Sequence, residues 1–317
     1  MAKTRSRWQS LPTEAINPAS LAIDKLDAGG IVDIMLAEDR RMLAAVHKER
    51  DRIALGADMC AKALRKGGRL VFVGAGTSGR LGVVESAEMP PTFGTDPLLV
   101  QGIMAGGQGA LIRAKEGSED NYEEGARAIT RLDPTKKDVV IGVSASGMTP
   151  FVRGALTSAR QASARVVFVT CDPRNELQAF VDLTIAPAVG PEIIAGSTRL
   201  KAGTATKLVL NMLTTSAMIL IGKTYGNLMV DVNALGSDKL RDRACRIVHI
   251  VTDLSYEEAD ALLKRARWNV KIAIVMQKTG LTYAKAQARL RKSDDRIREA
   301  IGEDIEARLR AVLRGET

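Results

Sequence analysis

The pattern of apolar and polar positions divides the middle of the chain into short apolar runs and longer mixed segments. Five runs are almost continuously apolar, near 69–73, 98–104, 138–143, 165–170 and 182–186. Helix-like or loop segments follow each run. Strands that are buried on both faces give continuous apolar runs, and strands that alternate with helices form parallel sheets. The pattern therefore predicts an α/β fold with a doubly wound, parallel, five-stranded sheet.

The pattern changes on either side of this sheet region. Residues 1–65 predict a helical N-terminal extension, 66–235 hold the sheet domain, and 236–317 predict a small C-terminal helical subdomain. In the last part, Ser-Tyr-Glu-Glu at 255–258 is a capping box that opens one helix, and Gly280 separates two others. The sequence thus predicts three parts, with the sheet in the middle.

Composition is that of an ordinary globular protein, with 45% hydrophobic and 26% charged residues. The amino terminus is charged and lacks an apolar core, so we expect no signal peptide and a cytoplasmic location. The longest uncharged stretch, 208–222, is too short to span a bilayer and predicts a buried helix. A net charge of +9 with 3% aromatic residues and no recognition motif favours anionic small molecules over nucleic acid as partners.

Cysteines and histidines give no sign of a metal site. Cys60, Cys171 and Cys245 lie far apart and without metal-ligand spacing, so we expect reduced, mostly buried thiols. His47 and His249 have no partner that suggests a zinc site or a Ser/His pair. Acid–base chemistry would therefore fall to carboxylates.

A glycine-rich run, Gly-Ala-Gly-Thr-Ser-Gly-Arg at 74–80, follows the first predicted strand and opens a helix. Glycines such as Gly76 let the backbone approach a ligand, and free N–H groups at a helix start favour an anion. The hydroxyls of Thr77 and Ser78 stand where a phosphate would rest. Glu88 follows in the same segment, so the run predicts a phosphate cradle beside an acid–base group.

The same run matches the dinucleotide fingerprint G-x-G-x-x-G. That fingerprint expects a carboxylate about 20 positions later, after the next strand. The next apolar run instead ends in Ala-Gly-Gly-Gln at 105–108. A nicotinamide or flavin site is therefore disfavoured, and a turn that serves packing alone leaves Thr77 and Ser78 without a role.

A second hydroxyl-rich loop follows the third predicted strand, with Ser144, Ser146 and Thr149 in Ser-Ala-Ser-Gly-Met-Thr. Each of these residues alone is an ordinary helix cap. Ligands in open parallel sheets bind beyond the carboxyl ends of the strands, so the two loops together predict a phosphate site. Which hydroxyls touch phosphate and which only cap helices stays open.

These motifs resemble the sugar isomerase (SIS) fold and, more specifically, the family of N-acetylmuramic acid 6-phosphate etherases. The Ser-x-Ser-Gly-x-Thr pattern is typical of the fold, and the family's longer runs recur nearly intact. They stand at 13–20, 74–82, 88–94, 116–120, 190–192, 196–205 and 226–232. The resemblance covers the chain from about Thr13 to Arg246 in motif and the remainder only in character.

The resemblance implies cleavage of the D-lactyl ether of N-acetylmuramic acid 6-phosphate, with no metal or organic cofactor required. The family's catalytic acid–base residue matches Glu88, and a second implicated glutamate matches Glu119. We expect both to reach the same sheet edge. The alternative for Glu119 is a solvated helix face shared with Glu116 and Asp120.

Further expectations concern binding and assembly. Glu192 belongs to a polar cluster with Ser197, Arg199 and Lys201, for which substrate binding and subunit packing are both open. The resemblance also implies a homodimer with pockets near the interface, and a C-terminal bundle resembling ubiquitin-associated domains.

The chain departs from the family pattern at five positions. Met148 stands where an arginine is expected, Phe151 replaces a tyrosine, Glu85 an aspartate, Met89 a cysteine, and Ser237 stands near a usual asparagine. An arginine lost from a ligand site removes a forked donor that suits phosphate or carboxylate. If that arginine touches substrate, affinity or specificity has shifted; if it is a structural surface residue, nothing follows.

Three other functions compete with the etherase hypothesis. A non-catalytic sugar-phosphate sensor, like the glucokinase regulatory protein, would not need Glu88 and Glu119, which are both present. A transcription regulator of the SIS type needs a helix-turn-helix, and 1–65 shows no clear one. An aldose–ketose isomerase would release no lactate.

Overall fold

The computed structural model describes residues 11–315. Its strands are β1 (Leu70–Gly74), β2 (Val100–Met104), β3 (Val139–Val143), β4 (Arg165–Val169) and β5 (Leu183–Ile185). They form one parallel sheet in the order β2-β1-β3-β4-β5. Each strand falls on a predicted apolar run, so the parallel five-stranded sheet is confirmed.

The helices follow the strands in alternation and then form a run of their own. In chain order they are α1 (Ala28–Lys48), α2 (Arg50–Arg65), α3 (Gly76–Ala87), α4 (Met89–Phe93), α5 (Gly109–Ile112), α6 (Tyr122–Thr130), α7 (Pro150–Gln161), α8 (Lys201–Leu220), α9 (Asp238–Thr252), α10 (Tyr256–Arg265), α11 (Val270–Thr279), α12 (Tyr283–Lys292), α13 (Ile297–Ile301) and α14 (Glu306–Leu313). Short 3₁₀ turns lie at Pro12–Glu14, Pro18–Ser20, Ile23–Lys25, Ser118–Asp120 and Glu176–Ala179.

The strand order places a switch in direction beside β1. Leu70 pairs with Val100 on one side and with Val139 on the other. The chain therefore moves outward from β1 in one direction to reach β2 and in the other to reach β3. Loops that leave neighbouring strands in opposite directions open a crevice at the carboxyl ends of those strands, where ligands bind in sheets of this kind.

The described chain forms two compact units. The sheet unit holds the residues up to Ala87 together with Leu98–Ser216, and the helical unit holds Glu88–Pro97 together with the chain from Ala217 onward. Helix α8 begins in the first unit and ends in the second. The three-part division drawn from the sequence stays a prediction.

The sheet unit is held together by apolar side chains from the strands and from the helices that cover them. Val71, Val140 and Phe168 from the sheet pack with Phe151 and Leu156 of α7, and all five are essentially buried. Every residue of β1 and β3 is buried. This burial explains why these strands are continuously apolar in the sequence.

The helical unit has its own apolar core, which includes Val248, Leu262, Ile274 and Leu290. The predicted capping box is present: the Ser255 hydroxyl accepts the N–H of residue 258, and the carboxylate there accepts the Ser255 N–H. These reciprocal bonds satisfy two of the donors at the start of α10.

Two smaller expectations are also confirmed. The uncharged stretch from 208 runs along α8 to its end; Leu210, Leu213 and Met218 are buried as expected, whereas Ile219 and Leu220 are exposed. Cys60, Cys171 and Cys245 are free and buried. Across residues 11–315, every helix is too short or too polar to cross a membrane.

Candidate active site

The loop after β1 makes a tight turn into α3. A Cβ on Gly74 would lie 2.7 Å from the backbone nitrogen of Gly79, so strand and helix can approach this closely only with glycine at that position. Gly76 is the first residue of α3, and Thr77 and Ser78 lie in its first turn. The first N–H groups of a helix have no acceptor within the helix, so this turn offers donors to an anion.

The loop after β3 brings its hydroxyls together. The Ser144 and Thr149 hydroxyl oxygens lie 2.7 Å apart, and the N–H of Met148 donates to the Ser146 hydroxyl at 3.4 Å. Thr149 directly precedes α7, yet its side chain makes no capping hydrogen bond. The helix-cap interpretation therefore does not account for the Thr149 hydroxyl.

The two loops border one cavity of about 290 Å³ in the sheet unit. Six of the predicted binding residues line it: Gly76, Thr77, Ser78, Ser144, Ser146 and Thr149. This is the crevice that the strand order creates beside β1. The structure therefore brings the two hydroxyl loops together, as the shared strand ends predict, and which of their hydroxyls contact phosphate stays a prediction.

Glu119 also lines this cavity, from the 3₁₀ turn Ser118–Asp120 that follows β2 and α5. Its side chain is half-buried rather than fully solvated, and Glu116 lines the cavity beside it. The interpretation of Glu119 as part of a solvated helix face does not fit this position. Among residues 11–315, the lining does not include Glu88, so the shared edge expected for the two glutamates stays a prediction.

Glu88 belongs to the helical unit, where it is exposed and directly precedes α4. Met89 and Phe93 of that short helix are buried. Gly94 ends the helix in the left-handed region with φ of 58°, and a Cβ there would lie 2.5 Å from the carbonyl oxygen of Asp231. Packing inside the helical unit therefore fixes the segment that begins at Glu88.

Asp231 is itself held by a buried cation. The Lys271 ammonium lies 2.5 Å from the Asp231 carboxylate, and Lys223 lies at 3.4 Å. Burial lowers the pKa of Lys271, while the attraction of Asp231 opposes that change. The backbone against which Gly94 packs is thus anchored by an ion pair.

Glu192 has backbone partners of its own. It is 1% exposed, and its carboxylate accepts the N–H groups of Lys201 at 3.2 Å and Ala202 at 2.9 Å, at the start of α8. The Lys201 side chain in turn pairs with Glu38, which also accepts a hydrogen bond from Asn17 at 2.9 Å. Glu192 therefore serves the start of a helix, and within the described chain it is not part of the cavity lining.

The environments of these two buried carboxylates differ. Burial raises the pKa of Glu192, although the two N–H groups favour its charged form. Burial also acts to raise the pKa of Glu38, but hydrogen bonds from Lys201 and Asn17 outweigh it and hold that pKa below the usual range. A substrate contact for Glu192 stays a prediction, and the structure gives it a different set of partners.

Comparison with known proteins extends these observations. The protein-family model described as the glucokinase regulatory protein N-terminal SIS domain matches residues 52–160 of this chain. An N-acetylmuramic acid 6-phosphate etherase of Microcystis aeruginosa is 49% identical over 298 residues, 93% of this chain and 97% of that protein. One of Gloeobacter violaceus is 52% identical over 84% of this chain and 87% of its own. The chain belongs to the N-acetylmuramic acid 6-phosphate etherase family.

A phosphoheptose isomerase from Francisella tularensis aligns at a TM-score of 0.47 and 18% identity, over 63% of this chain and 97% of its own. That likeness is too distant to bear on function. Membership of the etherase family confirms the resemblance drawn from the motifs.

The departures from the family pattern fall mostly in packed positions. Phe151 is buried in the sheet unit's core, and Glu85 is buried with hydrogen bonds from Asn211 and Thr214. Met148 is half-buried and is not among the described residues that line the cavity. Packing therefore accommodates Phe151, and hydrogen bonds accommodate Glu85, inside the sheet unit.

Several cavity residues were not predicted as site residues from the sequence. Arg80, Lys115 and Thr198 are among them. Arg80 stands within the glycine-rich run and Lys115 directly precedes Glu116, so proximity to recognised motifs was the available signal. Thr198 stands within the run 196–205 that resembles the family, and it reaches the cavity from the loop before α8.

Proposed function

We propose that this protein cleaves the D-lactyl ether of N-acetylmuramic acid 6-phosphate, giving N-acetylglucosamine 6-phosphate and D-lactate. One observation carries the proposal beyond family membership. Five hydroxyl side chains from the loops after β1 and β3, together with the half-buried Glu119, line one cavity at the carboxyl ends of these strands. That arrangement combines an anion cradle with a titratable proton carrier.

The chemistry proceeds from the open-chain sugar, in which C3 lies β to the C1 aldehyde. A carboxylate removes the acidified C2 proton, the bond between C3 and the ether oxygen breaks, and a carboxylic acid gives that oxygen a proton. Water then adds across the C2–C3 double bond. The net change is the addition of one water across the ether, and Glu88 and Glu119 are the proposed proton carriers.

The hydroxyl loops are the proposed phosphate site. Thr77 and Ser78 supply donors beside the free N–H groups at the start of α3, and Ser144 and Thr149 face the same cavity. Hydrogen bonds to a charged acceptor contribute more than neutral ones, and several act together here. The phosphate then fixes the sugar so that its C2 and C3 atoms lie near the carboxylates.

The first test is lactate release from N-acetylmuramic acid 6-phosphate, with the unphosphorylated sugar as its matched comparison. We expect release from the phosphorylated sugar and a loss of about 10³-fold or more in kcat/KM without the phosphate, since charge-assisted hydrogen bonds contribute about 1.5–3 kcal/mol each. No lactate from either sugar would overturn the proposed function. Equal rates would remove the phosphate role from the loops.

A cytoplasmic location and a homodimer remain part of the proposal. The family relatives support a sugar-phosphate substrate. The alternative function, a non-catalytic sugar-phosphate sensor, is not favoured. The glucokinase regulatory protein match covers 52–160 alone, whereas the etherase of Microcystis aeruginosa matches 93% of the chain.

A further inference from the structure

Two basic side chains line the cavity in the described part of the chain, Arg80 and Lys115. Arg80 lies in α3, two residues after Ser78, and Lys115 lies on the segment after α5. The hydrogen bonds of both cations within residues 11–315 go to backbone carbonyl oxygens. The acidic groups that share the cavity are Glu116 and Glu119.

Arg80 is held in place by backbone oxygens instead of by an acid. From α3, its Nε donates to the carbonyl of Leu111 at 3.1 Å and its Nη2 to the carbonyl of Ala110 at 2.7 Å. These two bonds orient the guanidinium and leave Nη1 without a hydrogen-bond partner in the described part of the chain. A fixed, half-buried guanidinium with a free edge is suited to an anion.

Lys115 is fixed in a comparable way. Its ammonium donates to the carbonyl oxygen of Gly106 at 2.8 Å. An ammonium has three donors, so this contact leaves two for a ligand. Both cations are therefore attached to the segment between β2 and the turn that carries Glu119.

The proposed substrate carries two anions, a phosphate on C6 and a carboxylate on the lactyl group at C3. The hydroxyl loops and the start of α3 fit the first. We propose that Arg80 and Lys115 bind the second, the lactyl carboxylate, an inference that rests on the proposed function. The same contact places the ether oxygen on the Glu119 side of the cavity, because both cations and Glu119 belong to or touch that segment.

This assignment separates substrate from product. The sugar product keeps its phosphate but has no carboxylate, so it loses the contact with the basic pair when the ether breaks. The basic pair therefore favours binding of the intact ether over the sugar product. Sugar phosphates that lack a carboxylate at C3 still reach the hydroxyl loops, but they bind without this contact and therefore more weakly.

The test compares ligands with and without the carboxylate. Lys115→Met should lower kcat/KM for N-acetylmuramic acid 6-phosphate by about 10- to 100-fold, the loss of one charge-assisted contact. It should leave unchanged both kcat/KM for the analogue whose lactyl carboxylate is a carboxamide and the calorimetric Kd of N-acetylglucosamine 6-phosphate. Arg80→Lys, which keeps the charge but loses the fork, should show the same selectivity. Lys136→Met, at an exposed lysine that does not line the cavity, is the matched control.

Two results would overturn the assignment. If the Lys115 variant loses affinity for N-acetylglucosamine 6-phosphate in parallel, the basic pair binds phosphate instead. If the Lys115 variant loses equal factors in kcat/KM for N-acetylmuramic acid 6-phosphate and for its carboxamide analogue, the basic pair does not bind the lactyl carboxylate. If the wild-type protein releases no lactate, the proposed function itself is wrong. Calorimetry with the sugar product would still measure binding at the phosphate site in that case.

Discussion

The sheet unit and the helical unit hold their candidate site residues in place by different means. In the sheet unit, the strand topology positions the hydroxyl side chains. The parallel strands end at one edge, and the loops that leave β1 and β3 bring their hydroxyls to one cavity. In the helical unit, packing positions Glu88. The segment Glu88–Pro97 is fixed by buried side chains and by the contact of Gly94 with Asp231. The difference teaches that ligand binding and the proposed acid–base residue depend on separate sets of contacts.

The strongest test of this division is Glu88→Gln, which keeps the size of the side chain and removes its proton. General acid–base catalysis contributes about 10²- to 10⁴-fold, and a poor leaving group puts this case at the upper end. We expect lactate release to fall by that factor while the Kd of N-acetylglucosamine 6-phosphate stays unchanged. Glu257→Gln, at an exposed glutamate of the same unit, is the control. Wild-type release by the Glu88 variant would remove Glu88 from the site.

Gly94→Ala tests whether packing in the helical unit positions Glu88. The added Cβ meets the Asp231 carbonyl oxygen at 2.5 Å, so the segment must shift. A displacement of about 1 Å can cost about 100-fold in rate, and we expect kcat to fall by about 10- to 100-fold with product binding intact. Gly280→Ala is the matched control, since Gly280 also has a positive φ of 68° in the same unit but no atom within 4 Å of its Cβ position. Equal losses in both variants would mean that backbone strain, not position, is responsible.

The prediction of the fold from the sequence succeeded where the signal was local. Buried parallel strands are continuous apolar runs, and a capping box is a pattern of four adjacent residues, so β1 to β5 and the start of α10 were found. The assignment of Glu88 to the helical unit was not found, because it depends on contacts between residues as distant as Gly94 and Asp231. Thr198 lies in a recognised motif, but only the fold shows that the loop before α8 reaches the cavity.

Glu119→Gln should have a smaller effect than Glu88→Gln if Glu119 positions water or sugar, about 10-fold on lactate release. If Glu119 is instead the separate base, the variant should lose exchange of the C2 proton with solvent deuterium. Both activities should be measured in D₂O, beside the exposed-residue variant Glu123→Gln. Unchanged release and exchange would show that lining the cavity is not enough to give Glu119 a role.

Glu192→Gln should have the smallest effect on turnover, because the Glu192 carboxylate is occupied by the N–H groups at the start of α8. The amide nitrogen of glutamine cannot accept a hydrogen bond, so one of these N–H groups loses its acceptor. We therefore expect an unchanged KM and a loss of about 1–3 kcal/mol in the free energy of unfolding at neutral pH, measured with denaturant. A large rise in KM with unchanged stability would instead support the substrate contact predicted from the sequence.

The pH dependence gives a second readout at the same residue. The folded protein raises the pKa of Glu192, so the stability that its protonated form contributes is fully present below about 4.5 and is lost as pH rises through the folded value. Glutamine does not titrate. The variant should therefore lack this part of the pH dependence, with Glu176→Gln as an exposed control.

The route of the chain through Glu88–Pro97 has a consequence for dissection of the protein. The chain leaves the sheet unit after Ala87 and returns to it at Leu98, so no single cut separates the two units. A fragment that ends at Ser216 would keep Met89 and Phe93 but lose the rest of the unit to which they belong. Such a fragment would carry exposed apolar side chains beside Glu88, and its loss of activity would report a misplaced segment rather than an independent role for the missing helices.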